Sequence, residues 1–125
     1  MNNLQFEATQ YTPKILLETY GVITIVGKSY PENTFEFYMP VMNWLKNYFT
    51  ETNSPHHLTV NIEITYFNSS SSKLFFDFFD ILDEQKEAFD ITVNWIFDRE
   101  NDNAKEAGED FIEDFPDLKI LLVTK

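Results

Sequence analysis

The chain has no cysteine, three glycines, two histidines and only nine Lys and Arg residues among 125. Each shortage removes a class of function. Without cysteine there is no disulfide framework, no thiol nucleophile and no thiolate metal site. Gly21, Gly27 and Gly108 are too scattered to form a phosphate-cradling loop. Asp and Glu number 21 and the formal charge is −12, which argues against nucleic acid, since phosphate binding needs clustered Lys and Arg. His56 and His57 stand together with no further ligand nearby at metal-binding spacing. Asp98-x-Glu100-x-Asp102 lacks the Gly and closing Glu of a calcium loop. No apolar run approaches the roughly 20 residues that span a bilayer, and the first ten residues lack the basic and apolar regions of a signal peptide. The expectation is a soluble, cytoplasmic protein without metal or cofactor.

What the chain does have is aromatic mass and clear periodicity. Aromatics make up 17% of it, thirteen of them Phe, so large buried rings should dominate packing. Its length suits one domain over residues 1–125. Residues 1–13 are polar and read as an extended lead-in ending at Pro13. Ile15–Glu18 and Val22–Lys28 are short β-rich runs joined by a turn at Tyr20-Gly21. Tyr38, Val41, Met42, Leu45, Tyr48 and Phe49 trace a helical stripe over residues 34–51, with Pro40 inside it. After a loop over residues 52–57, residues 58–67 alternate strictly. Leu58, Val60, Ile62, Ile64 and Tyr66 face one way, and Thr59, Asn61, Glu63, Thr65 and Phe67 the other. Leu74, Phe75, Phe78, Phe79 and Leu82 then form a second helical stripe, running to about Ala88. Ile91, Val93, Trp95 and Phe97 mark another strand. Residues 98–110 read as a solvated acidic helix anchored by Phe111, Ile112 and Phe115, and Ile120–Val123 as a last strand.

The order β-β-α-β-α-β-α-β predicts a small two-layer α/β domain with a mixed sheet. Its parallel part should be wound by right-handed crossovers, with helices on one side only. Binding sites of such sheets gather at the carboxyl edge of the strands. The run Asn68-Ser69-Ser70-Ser71-Ser72-Lys73 falls on that edge, at a strand-to-helix junction. One reading is a helix cap built by serine hydroxyls. The other is a phosphoacceptor, because a phosphate at a helix N-terminus meets free amides and the positive end of the dipole.

Several blocks occur in a fixed order: Thr12-Pro13-x-Ile15, Gly27-x-Ser29-Tyr30-Pro31-Glu32-Asn33, Trp44-Leu45, Tyr66-Phe67-Asn68-Ser69-Ser70-Ser71-x-Lys73 and Val93-Asn94-Trp95-x-Phe97-Asp98. Together they resemble the SiaC-type regulatory phosphoproteins of bacteria, which control biofilm and aggregation pathways. The resemblance runs from about residue 9 to residue 115. It implies a STAS-like fold, akin to anti-sigma-factor antagonists, and a switch that is not an enzyme. In that family the hydroxyl residue after the Asn of the Tyr-x-Asn block is phosphorylated by a Ser/Thr kinase and restored by a PP2C-type phosphatase. The unmodified form activates a diguanylate cyclase, which makes cyclic di-GMP; the expected output partner of this chain is a diguanylate cyclase or another signalling output protein. Carried onto this chain, the acceptor is Ser69, with Ser70 and Ser71 as alternatives within the run. Tyr30, Pro31, Glu32, Asn33, Asn68, Ser70 and Lys73 are the expected partner-binding residues.

Two rival readings stand beside this one. In the first, the chain is a constitutive interaction module whose serines only cap a helix, just as Pro31 and Asn33 or Thr34 only shape and cap the preceding one. In the second, Ser69 is a nucleophile. That needs His56 or His57 as base, and a ten-residue strand separates them from it by roughly 30 Å.

Overall fold

A computed structural model describes residues 1–54 and 56–125; Pro55, inside the loop expected over residues 52–57, lies outside them. Strands β1 (Leu4–Phe6), β2 (Lys14–Glu18), β3 (Val22–Ser29), β4 (His57–Phe67), β5 (Asp90–Phe97) and β6 (Lys119–Thr124) form one sheet, in sequence order across it. β1, β2 and β3 pair antiparallel, and β3 to β6 pair parallel. Helices α1 (Thr34–Glu51), α2 (Ser69–Glu84) and α3 (Asp102–Asp114) fill the three parallel crossovers. Crossovers that all step one way along a sheet, each right-handed, lay their helices on one face. The burial agrees, because only alternate residues of β4 and β5 are fully buried. The expected two-layer mixed α/β architecture is the one observed.

The lead-in is not merely extended, since it contributes β1 at the sheet edge. Three residues are too few to show a period. The strand pairs with β2, and the residues just before it are tied down: the Thr19 amide donates to Asn3 (2.8 Å), and the Trp44 indole donates to the Asn2 carbonyl (2.8 Å). The β2–β3 turn uses Gly21 at φ +112°, where a Cβ would stand 2.5 Å from the His57 carbonyl.

The alternation of β4 does not run to its end. Ile64 pairs with Gly27 but Tyr66 pairs with Lys28, so Thr65 is an extra residue and the register slips by one. A slip of one residue exchanges the two faces. Tyr66, expected in the core, is 55% exposed. Phe67, expected outside, packs against Phe75 and Trp95 at ring distances of 5.9 and 6.3 Å.

The acidic segment is a helix, α3, but it is not simply solvated. Ala104, Gly108 and Phe111 are buried, and the Trp95 indole donates to the Ala104 carbonyl (2.8 Å). Gly108 lies directly over Trp95 and Leu122. A Cβ there would meet Trp95 Cδ1 at 2.5 Å and Leu122 Cδ2 at 2.7 Å. Gly108→Ala is therefore expected to destabilise the fold by about 1–3 kcal/mol through overpacking, outweighing a helix-propensity gain of about 1 kcal/mol. The readout is a lower urea midpoint at unchanged slope. An unchanged midpoint would mean that Leu122, on the edge strand, gives way at no cost.

Pro40 sits inside α1, seven residues past the cap at Asn33. The helix thus starts well before the proline and tolerates it at an exposed position, without a hydrogen bond to the Glu36 carbonyl. α2 begins at Ser69, five residues before its apolar stripe, and ends at Glu84 rather than near Ala88.

Candidate functional site

Three asparagines line the carboxyl edge of the parallel strands, and each caps a helix. Asn33 Oδ1 accepts from the Glu36 amide (3.1 Å), Asn68 Oδ1 from the Ser71 amide (2.9 Å), and Asn101 Oδ1 from the Ala104 amide (3.1 Å). Asn is among the best residues for this role, since its short side chain reaches the third amide while its backbone stays extended. The cap of α2 is thus Asn68, and the four serines are its first helical residues. The expectation that serine hydroxyls do the capping is corrected accordingly. Asn33 caps α1 as the alternative reading proposed, and its side-chain amide also donates to the Glu36 carboxylate (3.1 Å).

The serines differ sharply in environment. Ser71 is fully buried, and its Oγ lies 2.8 Å from Ser29 Oγ, which lies 2.5 Å from the Tyr38 hydroxyl. This three-hydroxyl chain joins the end of β3, the second turn of α1 and the first turn of α2. Ser70 Oγ is 2.7 Å from the buried Thr34 hydroxyl and donates to Asn68 Oδ1 at 3.2 Å. A second hydroxyl pair therefore clamps α1 to α2. Ser69 is exposed, and its side chain has no hydrogen-bond partner among the described residues. Of the three candidate acceptors, Ser71 is sealed in the core and Ser70 is held by Thr34, which leaves Ser69 open to solvent.

Burial pushes the Tyr38 phenol up to about 12, against a lowering contribution from its Ser29 hydrogen bond. The unfolded phenol titrates near 10. Below pH 10 the phenol is protonated in both states and its contribution is intact. As the pH climbs from about 10 to about 12 the unfolded chain ionises first, so stability falls, by up to about 2–3 kcal/mol. Urea unfolding at pH 9 and pH 11.5 is expected to show this loss in the parent chain and a smaller one in Tyr38→Phe.

Ser69 opens on a groove of about 570 Å³ between α2 and α3. Lys73 and Phe76 line one wall, and Glu106, Asp110 and Asp114 the other. Lys73 is highly exposed and paired with Asp77 at 3.5 Å, four residues on. The groove is acidic overall, with one cation already engaged. Such a surface admits a cationic or apolar partner and resists added negative charge.

The other expected partner-binding residues divide into two groups. Pro31 is buried and offers no contact surface; it shapes the loop. Asn33 and Asn68 are helix caps whose side chains are occupied. Tyr30 and Glu32 reach the surface beside Tyr11. The structure also brings forward residues that periodicity passed over. Phe35 is 66% exposed and Met39 is 41% exposed. Both line a groove of about 440 Å³ between α1 and α2, with Asp77, Asp80 and Glu84 on its rim. Their signal in the sequence was two large apolar side chains on the polar side of the α1 stripe.

His57 is not a loop residue but the first residue of β4. It pairs with Asp90 across to β5 (2.9 Å), and its other ring nitrogen lies 3.0 Å from Thr59 Oγ1. That cluster lies at the opposite end of β4 from Ser69. Among the described residues, no group of three or more His, Asp or Glu side chains is arranged to hold a metal ion, and no helix is long and apolar enough to cross a membrane.

Comparison with known proteins gives consistent matches. A model of the SiaC family of regulatory phosphoproteins matches residues 6–125. The Pseudomonas aeruginosa (strain UCBPP-PA14) protein PA14_02130 is 32% identical over 116 residues, covering 91% of this chain and 90% of that protein. The crystal structure of apo-SiaC from Pseudomonas aeruginosa matches with a TM-score of 0.89 at 29% identity, covering 99% of this chain and 100% of that one. The crystal structure of the diguanylate cyclase SiaD in complex with its activator SiaC, also from Pseudomonas aeruginosa, contains a chain that matches with a TM-score of 0.89 and 29% identity, over 98% of this chain and 99% of that one. With its family model spanning nearly its whole length, the chain belongs to the SiaC family of regulatory phosphoproteins, regulators rather than enzymes.

Proposed function

We propose that this chain is a phosphorylation-gated activator in cyclic di-GMP signalling, working in the cytoplasm. Unmodified, it binds and activates a diguanylate cyclase. A Ser/Thr kinase turns it off by phosphorylating Ser69, and a PP2C-type phosphatase restores it. The cyclase partner is supported by the near-complete structural match to a protein solved as the activator of a diguanylate cyclase. The acceptor is supported by one observation above all: among Ser69, Ser70 and Ser71, only Ser69 has a hydroxyl that is both exposed and unengaged among the described residues.

The physics of the switch is electrostatic. A phosphoserine brings about −1.5 to −2 charges and three strong acceptor oxygens. At the first helical position these oxygens meet the amides that the Asn68 cap leaves unpaired. The fold therefore tolerates the group, while the groove, already lined by Glu106, Asp110 and Asp114, becomes hostile to an acidic or apolar partner surface. Reading the serines as a helix cap loses its reason, since Asn68 fills that role.

Intact-mass and phosphopeptide mass spectrometry on protein purified from its native cells tests the reading. One phosphate mapped to Ser69 is the expected result. A phosphate found only on Ser72 or elsewhere, or none under any growth condition, would overturn it.

A further inference from the structure

The Ser29–Asn33 loop carries a surface notch that the Ser69 switch does not use. Tyr11 and Tyr30 meet edge to face with ring centres 5.3 Å apart, and Tyr30 meets Tyr66 the same way at 5.5 Å. Tyr11 and Tyr66 are each more than half exposed. Tyr66 is outside only because of the extra residue at Thr65, so the bulge in β4 is what completes this row of rings. Most other rings of the chain are spent in the core; these three stand on the surface at the carboxyl edge of the sheet.

The notch of about 380 Å³ is lined by Tyr11, Tyr30 and Glu32. Glu32 is exposed and forms no ion pair among the described residues. The loop is fixed on both sides: the Tyr30 amide donates to the Tyr11 carbonyl (2.8 Å), Pro31 is buried, and Asn33 is committed to capping α1. The notch is therefore preformed, and little ordering is needed to fill it. Its chemistry is two aromatic rings and a free carboxylate, on a chain of net charge −12. Both components attract a cation. A guanidinium suits them better than an ammonium, because it is planar, stacks on rings, is weakly hydrated and engages a carboxylate through two parallel N–H donors.

We propose that the Tyr11–Tyr30–Glu32 notch receives an arginine side chain of the protein partner that docks on this edge. This deepens the functional reading and rests on it for the identity of the partner. The chemistry of the notch itself is tested without that partner.

The full chain is titrated with acetyl-Gly-Arg-Gly-amide and followed by NMR, with the citrulline and lysine peptides as comparisons. Tyr11 and Tyr30 ring resonances are expected to move with the arginine peptide. The response should fall at least fivefold with the neutral citrulline peptide or in Glu32→Gln, and stay within twofold in Ser69→Asp. Equal responses to arginine and citrulline, or no loss in Glu32→Gln, overturn the proposal; an equal response to lysine overturns the guanidinium assignment. Against a diguanylate cyclase partner, Glu32→Lys is expected to weaken binding at least tenfold. A Glu32→Lys chain that binds as tightly as the parent, while Ser69→Asp is released, sinks the notch and leaves the switch standing. An arginine response in a chain that binds no cyclase sinks the switch reading and keeps the notch chemistry.

Discussion

Ser69→Asp is expected to weaken binding to the diguanylate cyclase partner at least tenfold, while Ser69→Ala binds as the parent chain does. Tenfold corresponds to about 1.4 kcal/mol, a modest demand for one charge set among Glu106, Asp110 and Asp114 at a groove they line together. Lys73 does little to offset it, since Asp77 already holds the ammonium at 3.5 Å and the side chain is largely in water, where pairing contributes little. Asp carries one charge and phosphoserine nearly two, so the true phosphoprotein should lose more affinity than its mimic. The effect belongs to binding and not to folding. An anion in the first turn of a helix is favourable by about 0.3–1 kcal/mol, so Ser69→Asp should melt at or slightly above the parent temperature. Calorimetric titrations across a salt series separate the cases, because repulsion at an exposed site shrinks as the Debye length falls from about 10 Å at 0.1 M salt to about 3 Å at 1 M. If Ser69→Ala fails to bind, the hydroxyl itself is a contact and the switch is not purely inhibitory. Equal binding by Ser69→Asp and the parent at low salt would remove the electrostatic mechanism.

The sequence carries these conclusions unevenly, and the reasons are physical. The alternation in β4 and β5 is strong because one sheet face meets the helices and the other does not, so the two-layer fold is legible from Leu58 to Ile64 and from Ile91 to Phe97. It stops being legible at Thr65, where a single extra residue inverts the two faces without changing composition. β1 escapes notice for the opposite reason: three residues carry no period, and Asn2 and Asn3 just before them are tied to Trp44 and Thr19, distant in sequence. Residues 98–110 look solvated because their two buried positions are Ala104 and Gly108, whose smallness is what lets the helix settle on Trp95. At the site, the serine run announces a helix start, but not which serine is free. That depends on Ser29, Thr34 and Tyr38, from 33 to 42 residues away, whose hydroxyls claim Ser70 and Ser71. The Asn68 cap is hidden by the four hydroxyls that follow it in a row.

Ser71→Asp is expected to destabilise the chain by several kcal/mol, enough to unfold much of it, although it lies two residues from a position where the same change leaves the fold intact. Ser71 has no exposed surface, so a carboxylate there surrenders its hydration. Among the described residues the Ser71 hydroxyl has one side-chain partner, the Ser29 hydroxyl 2.8 Å away, and that hydroxyl already bonds Tyr38. One hydrogen bond from a neutral hydroxyl does not offset the desolvation of an ion, which costs several kcal/mol even after relaxation. The extra atoms must also fit between α1, α2 and the end of β3, in a core packed to crystal-like density. The favourable helix dipole that helps Ser69→Asp is worth about 1 kcal/mol at most and is overwhelmed. Domains of this size have about 5–15 kcal/mol in total, so the loss is visible as a large drop in urea midpoint. Ser71→Ala separates charge from hydrogen bonding: it removes one hydroxyl pair, leaves Ser29 bonded to Tyr38, and should cost only about 1 kcal/mol. A native-like midpoint for Ser71→Asp would mean that the first turn of α2 opens readily. Ser71 would then be as accessible to a kinase as Ser69, and the selection of one serine by burial would fail with it.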